Sequence, residues 1–149
     1  MNWIIRFIAT GFFLGEKLPA PGTVGTILAA VVYFLFIPVT SYPFYWTLLV
    51  IMTFIGVLTA GRTEEMMNEI DPPQVVIDEI VGFLVAMAFL PKSAGLVILG
   101  FIIFRIFDIM KIYPMNKLQI VAGGLGIMLD DLYAGLITNL ILRIIYYII

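Results

Sequence analysis

Long apolar runs alternate along the chain with short links rich in Pro, Gly and polar residues. Val24 to Val39, Phe44 to Ala60, Val75 to Leu90, Ala94 to Tyr113 and Gly126 to Ile149 are the five apolar runs. Each approaches the ~20 residues a bilayer-crossing helix needs, so the pattern predicts an all-α, polytopic membrane bundle of about five spans in a single domain. Residues 1 to 15 are apolar but too short to span, and with Trp3 and Arg6 they predict an interfacial or half-inserted helix. Tyr42, Tyr45 and Trp46 cluster at the turn between the first two spans, as an aromatic belt does. The stretch EKLPAPGTVGT, residues 16 to 26, breaks any helix and then starts a new one. The backbone N–H groups opening that helix, at Pro21-Gly22-Thr23, suit an anion such as phosphate; an ordinary turn capped by Thr23 is the plainer reading.

The polar positions that interrupt these runs carry the chemical information. Asp78 and Glu79 lie in the first turns of the third span, and Asp130 and Asp131 just inside the fifth. Arg105, Asp108 and Lys111 follow one another at intervals of three, one polar stripe on an Ile/Phe/Met helix. A charge at bilayer depth costs roughly 2.5 to 3.5 kcal/mol on insertion scales, so a shared cause is expected. Gly82 and Ala86 share the face of Asp78 and Glu79; Gly100 and Phe104 share that of Asp108; Gly135 and Thr138 share that of Asp131. Faces lined by small residues let helices approach closely. If the five spans alternate, all these acids gather near one membrane face. Lys17, Arg62, Lys111 and Lys117 lie there too, against Lys92 opposite, which predicts that face to be cytoplasmic. Arg143, near the far end, is expected to snorkel outward, and most of the charged residues of 61 to 74, a stretch that includes Asp71, to face water.

Composition agrees with a membrane protein: 62% of the 149 residues are hydrophobic, 12% are charged, and mean hydropathy is +1.12. A net charge of −2, spread thinly, offers nothing to nucleic acid. There is no Cys and no His, which removes disulfides, thiolate or imidazole catalysis, and zinc or haem sites built on those ligands. Carboxylate chemistry remains. Helix caps and pairing of Asp108 with Arg105 and Lys111 account for single acids, but not for two adjacent acids in each of two helices facing a third, where like charges repel unless a cation is present. Oxygen-only ligands point to Mg2+, or Mn2+. A cation beside Arg105 and Lys111 makes a pocket for phosphate, and at a membrane face the phosphates with an apolar anchor are phospholipids. The expectation is a lipid phosphomonoesterase or phosphotransferase.

Four motifs, APGTVGT at 20 to 26, VIDEIVG at 76 to 82, FRIFDIMKIYP at 104 to 114 and GGLGIMLDDLYAG at 123 to 135, together resemble the phosphatidylglycerophosphatase A family over nearly the whole chain. The link at 115 to 124 departs from it in lacking a run of basic residues. The resemblance implies an Mg2+-dependent enzyme of the bacterial inner membrane that converts phosphatidylglycerophosphate to phosphatidylglycerol and phosphate; no obligate protein partner is evident from the sequence. It carries Asp78, Glu79, Asp108, Lys111, Asp130 and Asp131 over as functional positions. The expected assignment is Asp78, Glu79, Asp130 and Asp131 on the metal, Thr23, Arg105 and Lys111 on the phosphate, and Asp78, Asp108, Lys111 and Asp131 in catalysis. The rivals are a carboxylate-based ion transporter, against which no inverted repeat is seen, a phosphatidyl-transfer enzyme, whose DG-x2-AR pattern is missing, and a non-catalytic scaffold.

Overall fold

Local sequence sets the helix ends seen in the computed structural model, which describes residues 2–38, 42–110 and 123–148. Among the described residues there are seven helices and no strand: α1 Asn2–Ala9, α2 Leu14–Lys17, α3 Pro21–Phe36, α4 Tyr42–Met67, α5 Ile77–Ala86, α6 Ala94–Met110 and α7 Gly124–Ile148. Pro21 opens α3, where its missing N–H costs nothing and its fixed φ already suits a helix. Pro38 follows closely on the end of α3. Helix α4 does not stop at Ala60 as its hydropathy suggests. Residues 61 to 67 include Arg, Glu and Met, good helix formers, and the helix ends before Asn68, which takes the left-handed conformation (φ 51°) common after a C-terminus.

Helices α3, α4, α6 and α7 surround α5. Each of the four shows the outside a row of apolar side chains at three- to four-residue spacing: Ile27, Val31 and Leu35 on α3; Trp46, Val50, Phe54 and Leu58 on α4; Ile98, Ile102, Ile106 and Ile109 on α6; Leu136, Leu140, Ile144 and Ile148 on α7. No residue of α5 is exposed. Such an apolar belt is far beyond what a water-facing surface carries, and the protein associates with membrane. By length and composition α4 and α7, at 26 and 25 residues, can cross a bilayer.

The third apolar stretch behaves differently from its expectation as a span from Val75 to Leu90. Only Ile77–Ala86 is α-helical, roughly 15 Å at ~1.5 Å per residue, half the hydrocarbon thickness. A helix ending in the middle of an apolar bundle leaves carbonyls without partners. Side chains of the surrounding helices supply them: Tyr45 Oη donates to Leu84 O (2.7 Å), Asn139 Nδ2 to Ala86 O (2.8 Å) and Ala88 O (3.0 Å), Arg143 Nη2 to Ala88 O (3.0 Å), and Tyr33 Oη to Leu90 O (3.3 Å). Arg143 therefore does not reach outward. It turns in, with Asn139 Oδ1 accepting from its Nε at 2.8 Å, because the carbonyl end of α5 needs donors and favours a cation.

Candidate active site

Two Asp-x3-Gly sequences, Asp78 to Gly82 and Asp131 to Gly135, build the centre of the site. In each, the carboxylate and the glycine share a helix face. The glycines let α5 and α7 meet backbone to backbone: a Cβ at Gly82 would lie 2.6 Å from the Asp131 carbonyl oxygen, and one at Gly135 would collide with the Gly82 carbonyl. That approach brings Asp78 and Glu79, at the start of α5, against Asp131, about two turns into α7. A ligand oxygen from each of these three side chains lies within 4.8 Å of the others.

Helices α3 and α6 close the other sides. Phe104 packs on Gly82, where its Cζ would stand 2.9 Å from an added Cβ, and sets α6 so that Arg105 and Asp108 face α5. Arg105 Nη1 bonds Asp108 Oδ2 and lies 3.7 Å from Glu79 Oε1. At the start of α3, Gly22 leaves room for the Glu79 carboxylate and Arg105 Nη1, which a side chain there would displace. The result is a cavity of about 320 Å3 lined by Asp78, Glu79, Arg105, Asp108, Asp130 and Asp131, with Ala20, Pro21 and Gly22 on one wall and Asp71 to Pro73 on another. A larger, apolar cavity of about 740 Å3 between α4 and α7 is lined by no acidic side chain.

Asp78, Asp130 and Asp131 are buried to 8%, 4% and 3% exposure. Asp78 Oδ1, Glu79 Oε2 and Asp131 Oδ2 are buried with no hydrogen-bond partner. Buried polar atoms are ordinarily satisfied, and adjacent carboxylates in a low-dielectric bundle repel. Orphaned oxygens converging from two helices are what an oxygen-liganded divalent cation takes up, so the donor set fits Mg2+ or Mn2+. The half-buried Arg105 beside them, on the open N-terminal turn of α3, suits a phosphoryl group next to that cation.

The structure thus brings together Asp78, Glu79, Arg105, Asp108, Asp130 and Asp131. Asp130 lines the cavity but stands outside the close triad. Thr23 is half-buried in the first turn of α3 and is not among the lining residues, where Ala20 to Gly22 stand instead. Lys111 lies outside the described residues. Asp71, grouped by the sequence with water-facing acids, is a wall of the cavity; the Pro72-Pro73 pair that follows it, stiffening the link into α5, was the available signal.

The model of the family described as phosphatidylglycerophosphatase A matches residues 7–146. The chain is 37% identical over 152 residues to a Bacteroides thetaiotaomicron protein with the provisional name phosphatidylinositol-3-phosphatase, covering 95% of this chain and 93% of that one. It is 34% identical to phosphatidylglycerophosphatase A of Escherichia coli, covering 89% of this chain and 78% of that one. With phosphatidylglycerophosphatase A of Haemophilus influenzae the identity is 28%, over 96% and 89% of the two chains. No solved structure gives a significant match.

Proposed function

The chain belongs to the phosphatidylglycerophosphatase A family, a family of phosphatases acting on a phospholipid, and from that premise we propose that it hydrolyses phosphatidylglycerophosphate to phosphatidylglycerol and inorganic phosphate, with Mg2+ as its cofactor, at the cytoplasmic face of the bacterial inner membrane. The observation that carries the chemistry is the trio of orphaned oxygens on Asp78, Glu79 and Asp131 beside Arg105 in one cavity.

Asp78, Glu79 and Asp131 hold the cation, with Asp130 completing the charge on its side. When bound, a divalent cation neutralises charge on the phosphoryl oxygens and acidifies water. Arg105 exchanges part of its pairing with Asp108 and Glu79 for the arriving phosphate, and Gly22, at the open N-terminal turn of α3, lines the same space. Lys111, one turn beyond Asp108 in the sequence, holds the phosphoryl oxygens as their charge persists into the transition state. Asp108, released from Arg105, handles the proton. In the net reaction the P–O bond to glycerol breaks, an oxygen from water ends on phosphorus, and a proton ends on the glycerol oxygen. The apolar belt keeps the acyl chains in the bilayer while the headgroup enters the cavity.

The exposed stripes of α3, α4, α6 and α7 support four crossings around α5, with α5 and residues 87 to 90 as the fifth passage, and the excess of Lys and Arg at the cavity end over Lys92 opposite supports a cavity that opens to the cytoplasm. A second reading of the substrate rests on the 37% identical relative: a phosphomonoester on inositol in place of that on glycerol. Purified protein in mixed micelles decides. Phosphate release from phosphatidylglycerophosphate, dependent on Mg2+, abolished by EDTA and lowered at least a hundredfold in Asp131→Asn, is the expected result. Faster release from phosphatidylinositol 3-phosphate selects the second reading, and release from neither lipid rejects both.

A further inference from the structure

The link between α4 and α5 carries an acid that the chemistry above does not use. Asp71 lines the cavity with Asp78, Glu79 and Asp131, yet it is not one of the three residues whose oxygens close to within 4.8 Å. Its backbone is left-handed, φ 50°, although a proline follows and disfavours any but extended geometry there. The rest of the link is fixed: Pro72, Val75 and Val76 are buried, Val75 N–H donates to Pro72 O at 2.9 Å, and Val76 N–H donates to Ala9 O at 2.9 Å. Gly15 and Gly25 press on the link from α2 and α3, the first against the Gln74 carbonyl and the second against Val76. Asp71 is therefore held in place at the cavity wall by the same packing that starts α5.

Resting on the reading of the triad as a cation site, we propose that Asp71 is a further member of that site, acting on the cation through the ion's own water rather than by direct ligation. The ligand-pointing observation is the pair of buried, unpartnered oxygens Asp78 Oδ1 and Asp131 Oδ2 that share the cavity with it. A small divalent cation keeps several waters when only a few carboxylates ligate it, and those waters need acceptors. A carboxylate outside the ligand triad but inside the cavity supplies one. Losing such a partner ordinarily costs roughly 10- to 100-fold in metal affinity.

Mn2+ binding to the purified full-length protein in detergent, followed by electron paramagnetic resonance and titration calorimetry, tests this without any substrate. Asp71→Asn preserves size and tolerance of positive φ, and Asp71→Gly relieves the part of the backbone strain that comes from the Cβ. Both are expected to weaken Mn2+ binding by about 10- to 100-fold, while Glu69→Gln, an exposed acid on the same link, leaves it unchanged. If Asp71 serves only the turn, both variants bind Mn2+ within threefold of wild type and Asp71→Gly gains stability; that result overturns the proposal. Asp78→Asn and Asp131→Asn in the same series separate the two ideas. If they lose binding and the Asp71 variants keep it, only the role of Asp71 falls; if they too bind as wild type, the cation site itself falls.

Discussion

Gly82 has no side chain, and the Asp131 carbonyl and the Phe104 ring occupy the space one would need. In Gly82→Ala the new Cβ would meet the Asp131 carbonyl oxygen at 2.6 Å, its carbon at 2.9 Å and Phe104 Cζ at 2.9 Å. Two of these three neighbours are backbone and cannot swing aside, so α5 and α7 must separate, at a cost of ~1–3 kcal/mol. The separation also moves Asp131 away from Asp78 and Glu79, and misplacement of about 1 Å at a reacting centre costs on the order of 100-fold. Gly82→Ala is therefore expected to lower both melting temperature and kcat. Gly95→Ala, whose Cβ would meet only Ser93 Oγ at 3.7 Å, should change neither. Measuring kcat on folded, size-exclusion-purified protein checks the pair, and wild-type turnover in Gly82→Ala would show that the close approach is dispensable. The four-residue spacing of acid and glycine was readable in the sequence because helical periodicity is local. That Gly82 would meet the backbone of Asp131 itself was not.

At the scale of elements, α5 is a short helix with two different ends. Its N-terminal end carries Asp78 and Glu79, and its C-terminal end leaves carbonyls that Tyr45, Asn139 and Arg143 fill. Helix α7 serves both ends, with Asp131 at one and Asn139 and Arg143 at the other. Asn139→Ala leaves the Ala86 carbonyl unmatched in an apolar setting and removes the acceptor that orients Arg143. The expected loss is ~1–3 kcal/mol, a fall in melting temperature of several degrees in detergent, with metal binding by the surviving folded protein retained. An unchanged melting temperature would mean that other donors reach Ala86. Hydropathy could not announce this element: apart from Asp78 and Glu79 residues 75 to 90 are apolar, and a run buried on every side by protein looks the same as one facing lipid. The inward turn of Arg143 has the same origin, since the carbonyls it meets are some 55 residues away in the chain.

Across the whole molecule, one end holds the carboxylate cavity and the other the turn at residues 91 to 93. The absence of native cysteine makes single-cysteine variants clean reporters. Glu65, at the cavity end of α4, and Lys92, at the opposite turn, are both exposed. With the cavity facing the cytoplasm, Lys92→Cys in intact cells is expected to react with an impermeant thiol reagent, and Glu65→Cys only after the membrane is opened. The reverse pattern would invert the orientation. By itself the sequence determined the helical class, the membrane setting, and which acids, glycines and arginine share helix faces, because each depends on composition or on residues within a turn or two of one another. Only the tertiary structure decided that α5 stops halfway and is ringed by four helices, that Arg143 turns in to cap it, and that Asp71 stands in the cavity wall. Each of these depends on backbone groups brought together from distant parts of the chain, whose unmet hydrogen bonds and shared space no local pattern records.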